Sequence, residues 1–288
     1  MTASRLDRTF LFDGPGVISF SGGRTSGMML WMTIQAYGAT LPADVVVCFA
    51  NTGKEEEATL EFVRDCGDRW GVPIVWIENR PRNEARGKEF AIVDFATASR
   101  RGEPFADLHD EKKFLPNPVA RFCTAELKVR PMQRYLKSIG LVEWTTFIGM
   151  RADEPLRVAR LANQDYGKHE VKEAPLAAAG LTVADVSAFW AAQDFDLGLP
   201  NMSGKTMHGN CDLCFLKGGN QVLSLIREKP SRALWWIQQE KNAQTAGSGA
   251  GGWFRKDRPS YQAMYDMAMN HGELFPFDDA LTDCGCTD

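Results

Sequence analysis

The sequence predicts an α/β fold: a doubly wound, mostly parallel sheet with a C-terminal helical appendage that carries cysteines. Three observations lead there. Short apolar runs at 17–20, 45–49, 73–77 and 145–149 alternate with longer helical segments, the pattern of βαβ units. The run Val45-Val46-Val47-Cys48-Phe49 is apolar throughout, as in a strand buried on both faces. Beyond residue 180 the strand-like runs give way to helical segments and a Cys-x-x-Cys.

Taken in order, residues 1–16 form a lead-in closed by Asp13-Gly14-Pro15-Gly16. Strand 17–20 runs through a glycine turn into a helix that ends near Tyr37, where Gly38 stops it. After strand 45–49, Thr52 with Glu55 forms a capping box for a helix through Trp70. Strand 73–77 follows, then a short helix at 89–99 and a long loop at 100–118 broken by Pro104, Pro116 and Pro118. A helix at 125–138, interrupted before Pro131 and stopped by Gly140, leads into strand 145–149. Thr182 caps a helix to Gln193. Helices at 220–228, from a Ser231 cap and at 260–270 complete the appendage, with a flexible loop at 244–252. We divide the chain into a domain of residues 1–180 and a helical region of residues 181–288.

The bulk numbers set limits. Hydrophobic content of 44% and charged content of 24% over 288 residues are those of a soluble globule, and a net charge of -4 excludes a global basic excess. A local patch of Arg100-Arg101, Lys112-Lys113 and the group Lys128, Arg130, Arg134 and Lys137 keeps a nucleic-acid partner open. No apolar run reaches transmembrane length and the N-terminus lacks a secretory core, so we expect a cytoplasmic protein without a membrane partner. In that reducing compartment the seven cysteines are thiols or metal ligands rather than disulfides.

The strongest chemical signal is the turn after the first strand. Strand, two glycines and a helix start build an anion site: glycine lets the backbone approach a phosphate, and first-turn N–H groups point at it. Ser19 and Ser21 precede Gly22 and Gly23, and Arg24, Thr25 and Ser26 add guanidinium and hydroxyl donors. The pattern is not a Walker A loop, which needs a Lys before Ser or Thr. Cys211-Asp212-Leu213-Cys214 supplies two thiolates to one metal or cluster, or forms a redox dithiol. Cys123, between Arg121 and Lys128, and the tail residues Cys284 and Cys286 are the remaining candidates. Cys48 and Cys66 read as core thiols, His208 as a surface residue, and Trp235-Trp236 as core or an interface. Asp153 and Glu154 hold magnesium, orient Arg151, or are solvated loop charges without a function.

Together these segments resemble the phosphoadenosine phosphosulfate (PAPS) reductase branch of the PP-loop adenine nucleotide alpha hydrolase superfamily. The resemblance rests on Ser21-Gly22-Gly23-Arg24-Thr25-Ser26, Phe49-Ala50-Asn51-Thr52-Gly53-Lys54-Glu55, Arg121-Phe122-Cys123-Thr124 with Leu127-Lys128, and Gly149-Met150-Arg151-Ala152-Asp153-Glu154. It implies a Rossmann-like sheet that binds ATP or PAPS. The loop would hold the phosphate or sulfate end. Asn51, Thr52 and Lys54 would lie near the adenosine, and Gly149, Arg151 and Arg157 near the anionic groups. It further implies sulfur chemistry, either sulfonucleotide reduction or ATP-dependent sulfur transfer to a nucleic acid or small molecule. A [4Fe–4S] cluster would sit on Cys123, Cys211 and Cys214 with Cys286, Cys284 or an exogenous sulfur in the fourth position, zinc being the alternative metal, and Cys284 would be the catalytic thiol if it is not a ligand. A homo-oligomer and a non-catalytic nucleotide-binding module are compatible with the same motifs. The chain departs from the pattern at Arg24-Thr25, where many relatives have Lys-Asp. It departs again at the single Cys123, and at a tail of Asp283-Cys284-Gly285-Cys286 without a following histidine.

Overall fold

A computed structural model describes residues 8–81, 89–162, 169–202, 205–209, 211–247 and 252–270. In chain order the elements are β1 (Gly16–Ser19), α1 (Arg24–Ala36), β2 (Val45–Ala50), α2 (Glu57–Trp70), β3 (Ile74–Asn79), β4 (Phe90–Val93) and α3 (Glu103–Lys112). A π-helical segment (Thr124–Val129) runs into α4 (Arg130–Ser138), followed by β5 (Trp144–Ile148), α5 (Pro155–Ala162), β6 (Glu170–Glu173), α6 (Pro175–Ala178) and α7 (Val183–Ala191). A ribbon of β7 (Asn201–Met202) and β8 (Lys205–Thr206) leads to α8 (Gly219–Glu228), α9 (Ser231–Thr245) and α10 (Tyr261–Met269).

The main sheet has the order β4-β3-β2-β1-β5-β6 and is parallel except for β4. From β1 the chain winds outward through β2 and β3, then returns to place β5 on the other side of β1. The direction therefore reverses between β1 and β5, and ligand crevices form at the carboxyl ends of strands at such a point. One face of the sheet packs through Ile18, Phe49 and Phe147 on Met29, Phe62 and Trp190 of α1, α2 and α7. The other face packs Val17, Cys48 and Ile77 against Leu136 of α4. A second core unites Phe105 and Leu108 of α3, the Cys211–Leu216 segment and the apolar faces of α8, α9 and α10.

Several expected elements take a different form. Residues 90–93 form an edge strand rather than part of a helix, antiparallel to β3; four residues are too few to show a period. The expected loop at 100–118 contains α3, whose Pro104 sits in the first turn, where a missing N–H costs nothing. β6 escapes detection because Glu-Val-Lys-Glu is mostly charged. Glu55 does accept from the Thr52 N–H at 3.0 Å, but α2 starts at Glu57, so the pair closes a loop instead of capping the helix. Ser231 is the first residue of α9, after Pro230 in the cap position. Thr182 caps as expected, with its N–H and hydroxyl both donating to Asp185. The interruption before Pro131 is the π-helical segment, where the Arg130 N–H reaches back five residues to the Ala125 carbonyl. A wider turn accommodates a proline that cannot donate to the preceding turn and crowds it.

The division at 180/181 does not coincide with the cores. Trp190 of α7 lies in the first core and donates from its indole N–H to the Arg24 carbonyl at 2.7 Å. α3 and Leu127 join the second core from the N-terminal side of that boundary.

The second core buries Glu240, whose carboxylate accepts from the Tyr261 N–H at 3.1 Å. Burial pushes its pKa from 4.5 up to about 7. The unfolded chain then releases this proton at lower pH than the folded chain. The contribution is therefore fully present below pH 4.5 and is lost as pH rises to about 7. Urea unfolding should show stability falling by roughly 3 kcal/mol across that window, and Glu240→Gln should flatten the dependence.

Candidate functional site

After β1 the chain turns through Phe20-Ser21-Gly22-Gly23 into α1. Gly22 has φ of +78°, and a Cβ there would stand 2.7 Å from Thr59 Cγ2, so both conformation and space demand glycine. Gly23 is the extended N-cap and supplies no side-chain cap, which leaves the first-turn N–H groups uncovered from that position. Ser26 ties the loop: its Oγ donates to the Gly23 carbonyl at 3.0 Å, accepts from the Ser21 N–H at 3.2 Å and lies 2.9 Å from Ser21 Oγ. At Gly149, just beyond β5, a Cβ would come within 3.0 Å of Ser26 Cα. Glycine there lets the end of β5 close on the start of α1.

The two residues between Gly23 and Ser26 behave differently from expectation. Arg24 is buried, and its guanidinium makes a bidentate pair with Asp196 and donates to Thr206 Oγ1 at 3.0 Å and the Leu199 carbonyl at 2.8 Å. The expected phosphate clamp is a strut that fastens α1 to the segment after α7. Thr25 Oγ1 accepts from Arg151 Nη1 at 3.1 Å. Arg151 also donates from Nε to Asp153 Oδ1 at 3.0 Å, and Arg157 pairs with Glu154. Asp153 and Glu154 thus orient the two arginines. Arg157 is buried, and its Nε and Nη2 have no hydrogen-bond partner among the described residues, so it retains donors for an anion.

Residues 51–54 are buried and Glu55 is half-buried, and their side chains are engaged inside the protein. Asn51 Nδ2 donates to Glu78 Oε1 at 2.7 Å and the Ser99 carbonyl at 2.9 Å. Thr52 Oγ1 donates to Glu55 and lies 3.6 Å from Cys211 Sγ. Lys54 Nζ pairs with Asp212 Oδ2 at 2.9 Å and sits 5.0 Å from the Trp235 ring centroid. These contacts build the loop and dock it onto the Cys-x-x-Cys segment. From this strand end only Ala50 faces the cavity described next.

That cavity, about 460 Å³, opens at the reversal point. Its floor is one face of three strands: Val17 and Ser19 of β1, Thr146 and Ile148 of β5, Glu170 and Lys172 of β6. The two-residue period and the register, with Val17 opposite Thr146 and Thr146 opposite Lys172, put these side chains on one side of the sheet. Its roof is a helical stripe of Thr124, Lys128, Met132, Gln133 and Leu136. Ser21, Met150 and Arg121 stand at the phosphate-loop end. The volume suits a small organic ligand. β6, missed in the sequence, supplies its inner polar groups. Glu170 accepts from Thr146 Oγ1 and from Gln133 Nε2, both at 2.7 Å, and lies 3.7 Å from Lys172 Nζ. Burial lowers the Lys172 pKa, partly offset by Glu170.

The cysteines fall into three groups. Cys48 and Cys66 are core thiols as expected, with burial pushing Cys48 up to about 12. Cys211 and Cys214 are buried in a tight turn in which the Cys214 N–H donates to the Cys211 carbonyl at 3.1 Å, and Cys123 packs against the same core. Cys284 and Cys286 lie outside the described residues. Among the described residues no three His, Cys, Asp or Glu side chains are grouped to hold a metal ion. The described donors therefore do not make up the expected [4Fe–4S] or zinc site. His208 is buried rather than at the surface and pairs with Glu228 at 2.7 Å. Trp236 is core, and its indole N–H donates to Asp212 Oδ1 at 2.8 Å. No helix among the described residues is long and apolar enough to cross a membrane.

Comparison with known proteins identifies a family for the segment that holds the cavity. The phosphoadenosine phosphosulfate reductase domain matches residues 15–197, which contain the loop, the strand ends and the cavity. An uncharacterised nin region protein of Escherichia phage lambda is 32% identical over 212 residues, 72% of this chain and 67% of the phage protein. An uncharacterised protein of Methanocaldococcus jannaschii is 26% identical over 165 residues, 56% of this chain but only 28% of the archaeal one. Among solved structures, the phosphoadenylyl-sulfate reductase of Candida auris in its phosphate complex is 18% identical. It covers 66% of this chain and 87% of the reductase, with a TM-score of 0.38.

Proposed function

The chain belongs to the phosphoadenosine phosphosulfate reductase domain family, and on that premise we propose that it is an enzyme that binds an adenine nucleotide in the cavity between β1, β5 and α4 and carries out sulfur chemistry on it. One observation carries the reading: the cavity at the reversal point is lined by Ser19 at the end of β1 and by Ser21 of the loop that opens onto the N-terminus of α1. A nucleoside in the cavity delivers its phosphate or sulfate end to that loop. Uncovered first-turn N–H groups and the α1 dipole favour the anion there. Arg121 and Lys128 add positive charge along the cavity wall, and the unpaired donors of Arg157 supply more if the anion extends beyond α1. Donors fixed in advance on a phosphoryl or sulfuryl group stabilise the charge that accumulates in its transfer.

A [4Fe–4S] centre would orient or polarise the substrate, but the described donors do not assemble its site. Iron, sulfide and zinc analysis of anaerobically purified protein tests the cysteine-held group directly. The nucleotide is tested by calorimetry with ATP, 3′,5′-adenosine bisphosphate and PAPS, followed by turnover with each. Release of sulfite from PAPS identifies sulfonucleotide reduction. Splitting of ATP between its α and β phosphates, dependent on a sulfur acceptor, identifies sulfur transfer. Binding of none of the three overturns the proposal.

A further inference from the structure

The nucleotide site leaves the Cys-x-x-Cys segment without a task. Cys211-Asp212-Leu213-Cys214 is a tight turn, closed by the Cys214 N–H donating to the Cys211 carbonyl at 3.1 Å. A turn closed from its first to its fourth residue brings the end Cα atoms within about 7 Å, and a disulfide spans about 4.4–6.8 Å. The two free thiols therefore stand at the ends of a turn of the right width to be joined. Cys48 and Cys66, by contrast, lie in separate cores on opposite faces of the sheet.

The turn is held in this shape from outside. The Lys217 ammonium donates to the Cys211 carbonyl at 2.8 Å, and the Tyr261 hydroxyl to the Leu213 carbonyl at 2.6 Å. Arg258 anchors both, with Nη1 on the Lys217 carbonyl at 2.7 Å and Nη2 on Tyr261 Oη at 3.1 Å. Asp212, between the two thiols, is taken up by Lys54 and the Trp236 indole N–H. Each of these contacts grips the backbone or Asp212, so none has to break for the sulfurs to bond. Closing the ring then costs little chain entropy, because the turn is ordered before the bond forms. A ring of four residues also restrains the unfolded chain less than a long loop does, so the bond would be a poor staple for the fold. Among the described residues no third His, Cys, Asp or Glu side chain joins the pair to hold a metal. What the turn offers is two thiols able to exchange an electron pair.

We propose that Cys211 and Cys214 are a reversible dithiol–disulfide couple that exchanges with a small disulfide. One cysteine attacks the small disulfide, forming a mixed disulfide and releasing one thiol. The second cysteine attacks the protein-side sulfur, breaking the mixed bond and releasing the second thiol. The small disulfide is reduced by two electrons, the pair is oxidised by two, and the two cysteine protons leave on the released thiols. Both cysteines are buried, which restricts the partner to a small molecule. The inference goes beyond the nucleotide reading and does not rest on it.

The test uses the full chain, purified anaerobically, assayed for iron and zinc, and equilibrated without denaturant in graded ratios of 2-mercaptoethanol to 2-hydroxyethyl disulfide. Acid quenching, alkylation and peptide mapping should show the two thiols lost together. The mass should fall by two hydrogens, with the bond mapped between Cys211 and Cys214. Excess 2-mercaptoethanol should restore both thiols. Cys211→Ser and Cys214→Ser should each trap the remaining thiol as a mixed disulfide, whereas Cys123→Ser should keep the transition. The wild-type map decides the matter even where a serine variant fails to fold. Thiols that stay reduced at the most oxidising ratio, a bond to Cys123, Cys284 or Cys286 instead, or iron or zinc that shields both thiols from alkylation overturns the couple. A bond that 2-mercaptoethanol reopens only in denaturant marks a structural staple and overturns it too. None of these outcomes bears on nucleotide binding, so the two readings fail separately.

Discussion

Gly23→Asp is expected to cost at least about a hundredfold in nucleotide affinity while leaving the melting temperature of the ligand-free protein unchanged or slightly raised. Two effects of one carboxylate separate these readouts. Gly23 is the N-cap of α1 with φ of -102° and ψ of 163°, a conformation open to any residue. Aspartate is among the preferred N-caps, and a negative charge at a helix N-terminus is favourable by several tenths of a kcal/mol. The helix therefore tolerates or welcomes the change. A phosphate does not, because the new carboxylate takes up the N–H groups the anion needs and repels it at close range. Gly22→Ala is the contrasting variant, since φ of +78° and a 2.7 Å contact with Thr59 should destabilise the fold itself. Wild-type affinity in Gly23→Asp would show that the phosphate end lies elsewhere.

Strands β1, β2, β3 and β5 were legible because each carries a short apolar, β-prone run, a signal that survives without knowledge of partners. The loop was legible for the same reason: Gly22-Gly23 after such a run has few other uses. What escaped were elements whose sequence reflects the cavity and the neighbouring core. β6 is charged because Glu170 and Lys172 face the cavity, not an apolar core, so its alternation does not look like a strand. Arg24 and Lys54 carry the charge expected of phosphate and nucleotide ligands. Their acceptors, Asp196 and Asp212, lie more than 150 residues away in sequence, and no local pattern announces them. Cys211-Asp212-Leu213-Cys214 draws notice for its thiols, whereas its aspartate holds the Lys54 ammonium and the Trp236 indole N–H.

Asp212→Ala is expected to destabilise the protein by about 3–5 kcal/mol, the cost of leaving a buried cation without its partner. The buried Asp212 carboxylate gathers the Lys54 ammonium at 2.9 Å, the Trp236 indole N–H at 2.8 Å and the Leu213 N–H at 2.8 Å. Its own N–H donates to the Lys54 carbonyl at 2.7 Å, and Glu55 forms a β-bridge with Cys211 beside it. Removing the side chain strands a buried ammonium and an indole donor together, at the seam where the β2 end meets the helical core. Lys54→Met alone should cost less, because the carboxylate keeps two N–H donors. The double variant Lys54→Met/Asp212→Leu should recover much of the loss, since two apolar groups replace a pair whose attraction largely offsets its desolvation. Urea unfolding of the four proteins completes the cycle. A single-variant loss below about 1 kcal/mol would place the pair in the range of solvent-screened surface bridges. A large loss without recovery in the double variant would place the cost at Trp236 and Leu213 instead of the ion pair. If the cycle closes as expected, the lysine that resembles a nucleotide ligand is the fastener between the nucleotide-side loop and the Cys-x-x-Cys segment.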